Sequence, residues 1–115
     1  MSIEIYHNPR CTKSRQTLAL LEKKGVDPKI RLYLEDPPSK KELTDLLKKL
    51  GLEATQLLRT KESEYKDLVS KEGKPNNQKA ISWMIQNPKL IERPIVIKGT
   101  KARIGRPPEQ VLEIL

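Results

Sequence analysis

The chain has 115 residues, a length that predicts one domain large enough to bury its own core. Hydrophobic residues make up 36% and charged residues 33%, a balance that excludes a disordered or fibrous chain. The sequence contains one cysteine and one histidine. An internal disulfide and a four-ligand structural zinc site are therefore both excluded, and no bound metal is expected.

The net charge of +8 is spread evenly along the chain. Residues 1–50 carry 11 basic and 7 acidic side chains, and residues 51–115 carry 12 and 8, so each half is +4. Without a basic tail or grouped aromatic side chains, the charge favours a solvated lysine-rich surface over a nucleic-acid partner. No apolar run is long enough for a membrane span and no leader segment is recognisable, so we expect a cytoplasmic location. We also expect a monomer.

The first third of the chain predicts a β-α-β unit. Ile3, Ile5 and Tyr6 form a strand that Pro9 ends. A helix begins at Thr12 and stops at Gly25, with four apolar residues expected to face inward: Leu18, Ala19, Leu20 and Leu21. A second strand follows, in which three apolar residues alternate with Arg31 and Tyr33: Ile30, Leu32 and Leu34.

The remainder predicts several helices, a hairpin and a final helix. Ser39 and Glu42 have capping-box spacing before a helix with four leucines on one face: Leu43, Leu46, Leu47 and Leu50. Short helices are expected over 54–72, and Asn76 or Asn77 can cap another, which ends at Asn87-Pro88 and has one apolar face: Ala80, Ile81, Met84 and Ile85. Runs 95–97 and 102–104 predict a hairpin. Pro107 and Pro108 open a last helix whose apolar residues should pack inward: Val111, Leu112, Ile114 and Leu115. The order predicts an α/β fold with a small mixed sheet flanked by helices.

Cys11 lies between the first strand and the first helix, which is an unusual place for a buried structural thiol. The reactive form of cysteine is the thiolate, which an ordinary pKa near 8.5 leaves scarce at neutral pH. The sequence offers free N–H groups of the first helical turn and nearby cations to stabilise it: Arg10, Lys13 and Arg15. His7 contributes an imidazolium or a hydrogen bond in this interpretation, and a purely structural histidine is the alternative.

A helix start that stabilises a thiolate can also hold a tetrahedral oxyanion beside it. Such a site normally needs arginines for forked, charge-assisted contacts. Three arginines have unusual settings: Arg59 follows two leucines, Arg93 precedes Pro94 at a strand entry, and Arg106 precedes Pro107. Taken singly, an arginine in such a setting is more often an ordinary surface residue.

Four segments together resemble the glutaredoxin-dependent arsenate reductases, which have a thioredoxin-like fold. These segments are His7-Asn8-Pro9-x-Cys11 with Ser14-Arg15, Leu58-Arg59-Thr60, Arg93-Pro94-Ile95-Val96 and Arg106-Pro107. The resemblance runs from residue 3 to residue 115. It implies one thioredoxin-like domain over 1–115 with a helical insertion at about 39–88.

The resemblance also implies a role for each matching residue. Cys11 is similar to the family's catalytic cysteine, and His7 to the histidine that helps to lower the pKa of that thiol. Arg59, Arg93 and Arg106 are similar to the three oxyanion-binding arginines, while Ser14 and Arg15 occupy helix positions near the sulfur. Pro94 resembles the cis-proline of thioredoxin folds. The active-site loop differs from the best-studied arsenate reductases, because Thr12-Lys13 replaces Gly-Thr.

The expected function is reduction of arsenate to arsenite by the Cys11 thiolate. A two-electron reduction needs a second thiol, and the chain has only one. Glutathione is therefore the expected co-substrate, no cofactor is expected to be bound, and glutaredoxin is expected to resolve the mixed disulfide on Cys11.

Two alternatives stay open at the level of sequence. The first is a thiol oxidoreductase or glutathione-binding protein of the same fold with a substrate other than arsenate. The second is a regulator that binds RNA polymerase, although such regulators commonly carry Cys-x-x-Cys and this chain has Ser14 at the second position. A phosphatase loop of the form Cys-x₅-Arg is excluded because position 17 is threonine.

Overall fold

The structure is a computed structural model, which describes residues 2–115. The chain forms two compact units: residues 2–36 with 93–115, and residues 37–92. The second unit contains the segment 39–88 that the sequence assigns to a helical insertion. The expected single domain over 1–115 stays a prediction.

The first unit is built on a four-stranded sheet. Its strands are β1 (Ile3–Tyr6), β2 (Lys29–Arg31), β3 (Ile95–Lys98) and β4 (Lys101–Ile104), in the order β2-β1-β3-β4. β2 is parallel to β1, whereas β3 is antiparallel to both β1 and β4. The sheet is therefore mixed, as expected for the predicted α/β class, and the predicted hairpin is confirmed as β3 and β4.

A helix and a 3₁₀ helix cover the core of this unit. The helix α1 spans Thr12–Lys23, and the 3₁₀ helix spans Pro108–Ile114. Their inward side chains meet those of the central strands in one cluster: Ile5, Leu21, Val96, Val111 and Ile114. β1 and β3 thus form the centre of the unit. The chain runs from the end of β1 to Cys11, and it enters β3 directly after Pro94.

Two details of these helices differ from the sequence prediction. α1 buries Ser14, Thr17 and Leu21, while Ala19 is exposed, because its inward stripe includes polar residues near its start. The last helix is 3₁₀, with three residues per turn, so its inward positions recur every third residue. Pro108, Val111 and Ile114 are consequently buried, and the expected packing of Leu112 and Leu115 is wrong.

The segment after β2 also differs from the prediction. Tyr33 is fully buried and stacks on Tyr6, with ring centroids 6.1 Å apart. Leu32 and Leu34 are 37% and 44% exposed, the reverse of the expected alternation. β2 ends at Arg31, and the chain turns where the Leu32 carbonyl accepts the N–H groups of Glu35 and Asp36 at 3.0 and 2.9 Å. The turn directs the tyrosine inward and the two leucines outward.

The second unit is helical. It contains α2 (Lys40–Leu50), α3 (Ala54–Leu57), α4 (Ser63–Glu72), α5 (Asn77–Gln86) and a short 3₁₀ helix at Pro88–Leu90. The predicted capping box is confirmed: Ser39 Oγ accepts the Glu42 N–H at 3.1 Å, and Glu42 Oε1 accepts the Ser39 N–H at 3.0 Å. Gly51 ends α2 in the left-handed region, with φ of 70°.

The cap of α5 is Asn76, whose side-chain oxygen accepts the Lys79 N–H at 2.9 Å. The predicted apolar face is only partly right, because Ile81 and Ile85 are half-buried and Trp83 is buried in their place. Trp83 packs edge-on against Tyr65, with ring centroids 6.1 Å apart. An aromatic pair of this kind buries more apolar area than an isoleucine does.

Gly105 occupies a position where no side chain fits. A Cβ atom there would lie 2.5 Å from Thr17 Oγ1 and 2.8 Å from Pro94 Cγ. We expect Gly105→Ala to lower the free energy of unfolding by about 1–3 kcal/mol, as overpacked cores do. Urea denaturation measures the loss. Thr17→Ala removes the contact with Thr17 Oγ1. The Gly105→Ala/Thr17→Ala double variant should therefore lose less free energy of unfolding than the sum of the two single losses. A loss equal to that sum would contradict this account.

Candidate active site

Cys11 lies between the end of β1 and the start of α1, directly before the first residue of the helix. The turn between them is built by Asn8, whose carbonyl accepts the Cys11 N–H and whose side-chain oxygen accepts the Arg10 N–H, both at 3.0 Å. The Cys11 carbonyl then accepts the Arg15 N–H at 3.0 Å, which is the first hydrogen bond of the helix. The thiol therefore stands at the helix N-cap, beside N–H groups that have no partner within the helix.

Two arginines from the distant end of the chain reach the sulfur. Arg106 Nη2 donates to Cys11 Sγ at 3.6 Å, and Arg106 Nε donates to the Arg93 carbonyl at 2.7 Å. The Arg93 guanidinium also hydrogen-bonds the sulfur. Both arginines precede cis peptide bonds, to Pro94 and to Pro107. The cis form of Pro94 was expected from the resemblance, whereas that of Pro107 was not.

The pKa of the Cys11 thiol lies below its ordinary value. Burial opposes this shift, since a buried thiolate loses water. The backbone N–H of Ser14, the hydrogen bond and charge of Arg93 and the charge of Arg106 together outweigh the burial. The site thus favours the thiolate, the form that attacks electrophiles.

His7 and Ser14 form a buried polar pair next to the cysteine. His7 Nδ1 and Ser14 Oγ are 2.6 Å apart, and Ser14 Oγ also accepts the Asn8 N–H at 3.0 Å. Burial, with a smaller contribution from the Arg15 charge, lowers the pKa of His7. A neutral imidazole that holds Ser14 in place therefore fits better than an imidazolium that acts on the thiol by charge. The catalytic role of His7 stays a prediction.

The state of His7 can be measured directly, because it is the only histidine in the chain. We expect a pH titration of its ring protons by NMR to give a pKa below the ordinary 6.5. Because the folded protein then binds fewer protons than the unfolded chain, this residue should destabilise the fold as the pH drops below 6.5. A measured pKa at or above 6.5 would contradict the neutral pair.

The cations adjacent in sequence are arranged differently from the expectation. The Arg15 guanidinium turns back onto the loop, where it donates to the Pro9 carbonyl at 2.8 Å and to Thr12 Oγ1 at 3.3 Å. Arg10 and Lys13 are exposed. The charges that lower the pKa of the thiol belong to Arg93 and Arg106, and substrate contact by Ser14 and Arg15 remains a prediction.

Arg59 belongs to the second unit and is held there by two carboxylates. Its Nε lies 3.1 Å from Glu62 Oε1, and its Nη1 lies 2.9 Å from Glu92 Oε1. Its backbone N–H donates to the Leu90 carbonyl at 2.8 Å, beside the isolated bridge between Leu58 and Ile91. The role of Arg59 in oxyanion binding stays a prediction.

Asn8 and Gly105 contribute to the site, although the sequence alone assigns neither of them a role. Asn8 shapes the loop through three hydrogen bonds, and the turn-forming Asn-Pro pair was a usable signal. Gly105 lets the backbone directly before Arg106 pass close to Pro94, where a side chain would clash. The only sign of this contact in the sequence is the glycine itself. Within residues 2–115, no three metal-ligating side chains cluster, and no helix has the length and apolar character needed to cross a membrane.

The sheet, the cysteine at the start of α1 and the cis-proline at the start of β3 define a thioredoxin-like fold, and its single cysteine has a lowered pKa. Residues 6–114 match the ArsC family. An uncharacterized protein, YfgD, from Escherichia coli is 54% identical over 98% of this chain and 96% of its own length. An arsenate reductase from Haemophilus influenzae is 52% identical over the full length of both chains.

The fold is similar to that of a solved arsenate reductase from Vibrio cholerae. That structure matches with a TM-score of 0.94 and 52% identity, covering 100% of this chain and 98% of its own. The chain therefore belongs to the ArsC family.

Proposed function

We propose that this protein reduces arsenate to arsenite, with Cys11 as the nucleophile and with glutathione and glutaredoxin as the source of electrons. The observation that carries the proposal is the contact of Arg106 Nη2 with Cys11 Sγ at 3.6 Å, together with the Arg93 hydrogen bond. The same two guanidinium groups can stabilise a thiolate and bind an oxyanion. Relatives of similar length that are named arsenate reductases support arsenate as that oxyanion.

In the first step, the Cys11 thiolate attacks arsenic(V) and forms a sulfur–arsenic bond. One arsenate oxygen leaves with its electron pair and is protonated to water. Guanidinium groups of Arg93 and Arg106 and the first-turn N–H groups of α1 stabilise the remaining oxygens, since preorganised donors act strongly on developing negative charge. Arg59 is the third arginine that the family resemblance implies for this task.

In the second step, the glutathione thiolate attacks the Cys11 sulfur. A mixed disulfide forms, the sulfur–arsenic bond breaks, and its electron pair stays on arsenic, which leaves as arsenite. Glutaredoxin then attacks the glutathione sulfur and releases the Cys11 thiolate. Overall, two thiols are oxidised to a disulfide and arsenic(V) is reduced to arsenic(III), so electrons balance. The single cysteine of the chain is consistent with an external second thiol.

The test is an assay of arsenate-dependent NADPH consumption coupled through glutathione, glutathione reductase and glutaredoxin. We expect a signal that requires arsenate and disappears when glutathione or glutaredoxin is left out. A folded protein that gives no arsenate-dependent signal would refute the proposal. Turnover of small disulfides in that case would indicate a thiol oxidoreductase, and co-purification of RNA polymerase would indicate a regulator.

The remaining expectations about partners belong to the same proposal. They are a monomeric state, the absence of a nucleic-acid partner and a cytoplasmic location. The even spread of charge along the chain supports the second of them.

A further inference from the structure

A cavity of about 210 Å³ lies beside the active-site loop in the first unit. Its lining consists of loop residues 7–10 together with Leu32, Leu34 and Glu35. Arg10, which precedes Cys11 in the chain, belongs to this lining. The cavity is smaller than the roughly 300 Å³ or more of sites that hold a whole drug-sized ligand. It can therefore hold one end of a small molecule whose other end reaches the thiol.

The lining combines two opposite charges with an apolar wall. Arg10 supplies a guanidinium and Glu35 a carboxylate, and neither takes part in an ion pair within residues 2–115. Leu32 and Leu34 expose 37% and 44% of their surface at this place, although residues of this size are usually buried. One cation, one anion and an apolar wall suit an amino-acid zwitterion with a short aliphatic chain.

We propose that this cavity binds the γ-glutamyl end of glutathione, with its α-carboxylate on Arg10 and its α-ammonium on Glu35. This inference rests on the proposed function, in which glutathione reacts at Cys11. Consecutive Cα atoms are about 3.8 Å apart, and a three-residue ligand spans roughly 10 Å when extended. A tripeptide anchored at Arg10 thus has the reach to present its central thiol to the neighbouring Cys11.

A reaction without arsenate tests the site separately from arsenate reduction. The Cys11 thiolate attacks glutathione disulfide, its S–S bond breaks, a Cys11–glutathione disulfide forms, and glutathione thiolate leaves with the electron pair. Mass spectrometry measures the rate at which the Cys11–glutathione disulfide forms. Bis(2-hydroxyethyl) disulfide, which has no charge, is the comparison oxidant. We expect the wild-type protein to prefer glutathione disulfide, and no preference would overturn the inference, whatever the arsenate assay shows.

Arg10→Glu and Lys13→Glu form a matched pair. Both residues are exposed, both lie within two positions of Cys11, and both substitutions change the charge equally, but only Arg10 lines the cavity. Arg10→Glu should lower the preference for glutathione disulfide about two- to fivefold more than Lys13→Glu, as expected for one exposed ion pair. If the two substitutions lower the preference for glutathione disulfide equally, the effect is long-range repulsion between the new carboxylate and the anionic disulfide, and the inference is overturned.

Glu35→Gln separates specific binding from overall charge by the sign of its effect. Glutathione disulfide carries net negative charge, so removal of a carboxylate should speed the reaction if only long-range Coulomb forces act. We expect the reaction to slow about two- to fivefold instead, because the α-ammonium loses its partner. An acceleration would overturn the inference.

Leu34→Trp tests the cavity by filling it. The reaction with glutathione disulfide should slow several-fold, while that with bis(2-hydroxyethyl) disulfide should not change. Leu112→Trp is the matched control, since Leu112 is similarly exposed and does not line this cavity. If Leu34→Trp leaves the preference unchanged, the inference is overturned.

Discussion

Replacing Cys11 by serine is expected to reduce arsenate-dependent turnover by at least about a thousandfold, to the background rate. A serine hydroxyl is a far weaker nucleophile at neutral pH than a thiolate, and loss of a catalytic nucleophile typically costs this much or more. The single cysteine of the chain leaves no second thiol to take over. The coupled NADPH assay measures the loss.

The same variant should keep its fold and its anion binding. Cys11 is the N-cap of α1, a position at which serine is among the preferred residues, so the free energy of unfolding should fall by less than about 1 kcal/mol. Arg93 and Arg106 are unchanged in the variant. Thermal shift by arsenate or sulfate should therefore persist. Turnover near the wild-type rate would refute Cys11 as the nucleophile, and an unfolded variant would refute our account of the helix start.

Elements determined by local residues could be predicted from the sequence. The capping box of Ser39 and Glu42, the Asn76 cap and the hairpin of β3 and β4 each depend on residues that are close in the chain. The alternation around Tyr33 does not decide which residues face inward, because it permits burial of either the leucines or the tyrosine. In the structure Tyr33 is the buried residue, and it stacks on Tyr6, a contact between two segments that are distant in the chain.

The site shows the same division between local and distant information. The position of Cys11 at a helix start was readable, because the strand, Pro9 and the helical pattern follow one another directly. Nearby cations were a poor guide to the charges at the sulfur, since Arg15 folds back onto Pro9 and Arg106 comes from 95 residues away. The sequence does single out Arg93 and Arg106, by their places before Pro94 and Pro107 and by the family resemblance, but only as candidates for binding an oxyanion. Their effect on the pKa of the thiol follows from the fold.

Replacing Arg106 or Arg93 by methionine is expected to raise the pKa of Cys11. Burial already opposes ionisation of the thiol, so loss of either positive group shifts the balance toward the protonated form. Methionine keeps much of the apolar stem and removes the charge. The midpoint of the pH profile of iodoacetamide alkylation should move to higher pH, and each full unit lowers the thiolate fraction about tenfold at pH values well below the pKa. Arsenate kcat/KM at pH 7 should fall about a hundredfold, since the same donors hold the oxyanion.

Arg103→Met is the matched control for charge, because Arg103 lies on β4 in the same unit and pairs with Glu113 at 3.3 Å. It should leave the alkylation midpoint in place. Arg106→Lys separates charge from geometry: lysine keeps the positive charge but lacks the Nε–H that donates to the Arg93 carbonyl. We expect an intermediate midpoint. If Arg93→Met, Arg106→Met and Arg103→Met all leave the wild-type midpoint unchanged, then the two arginines do not create the thiolate, and the helix start alone must do so.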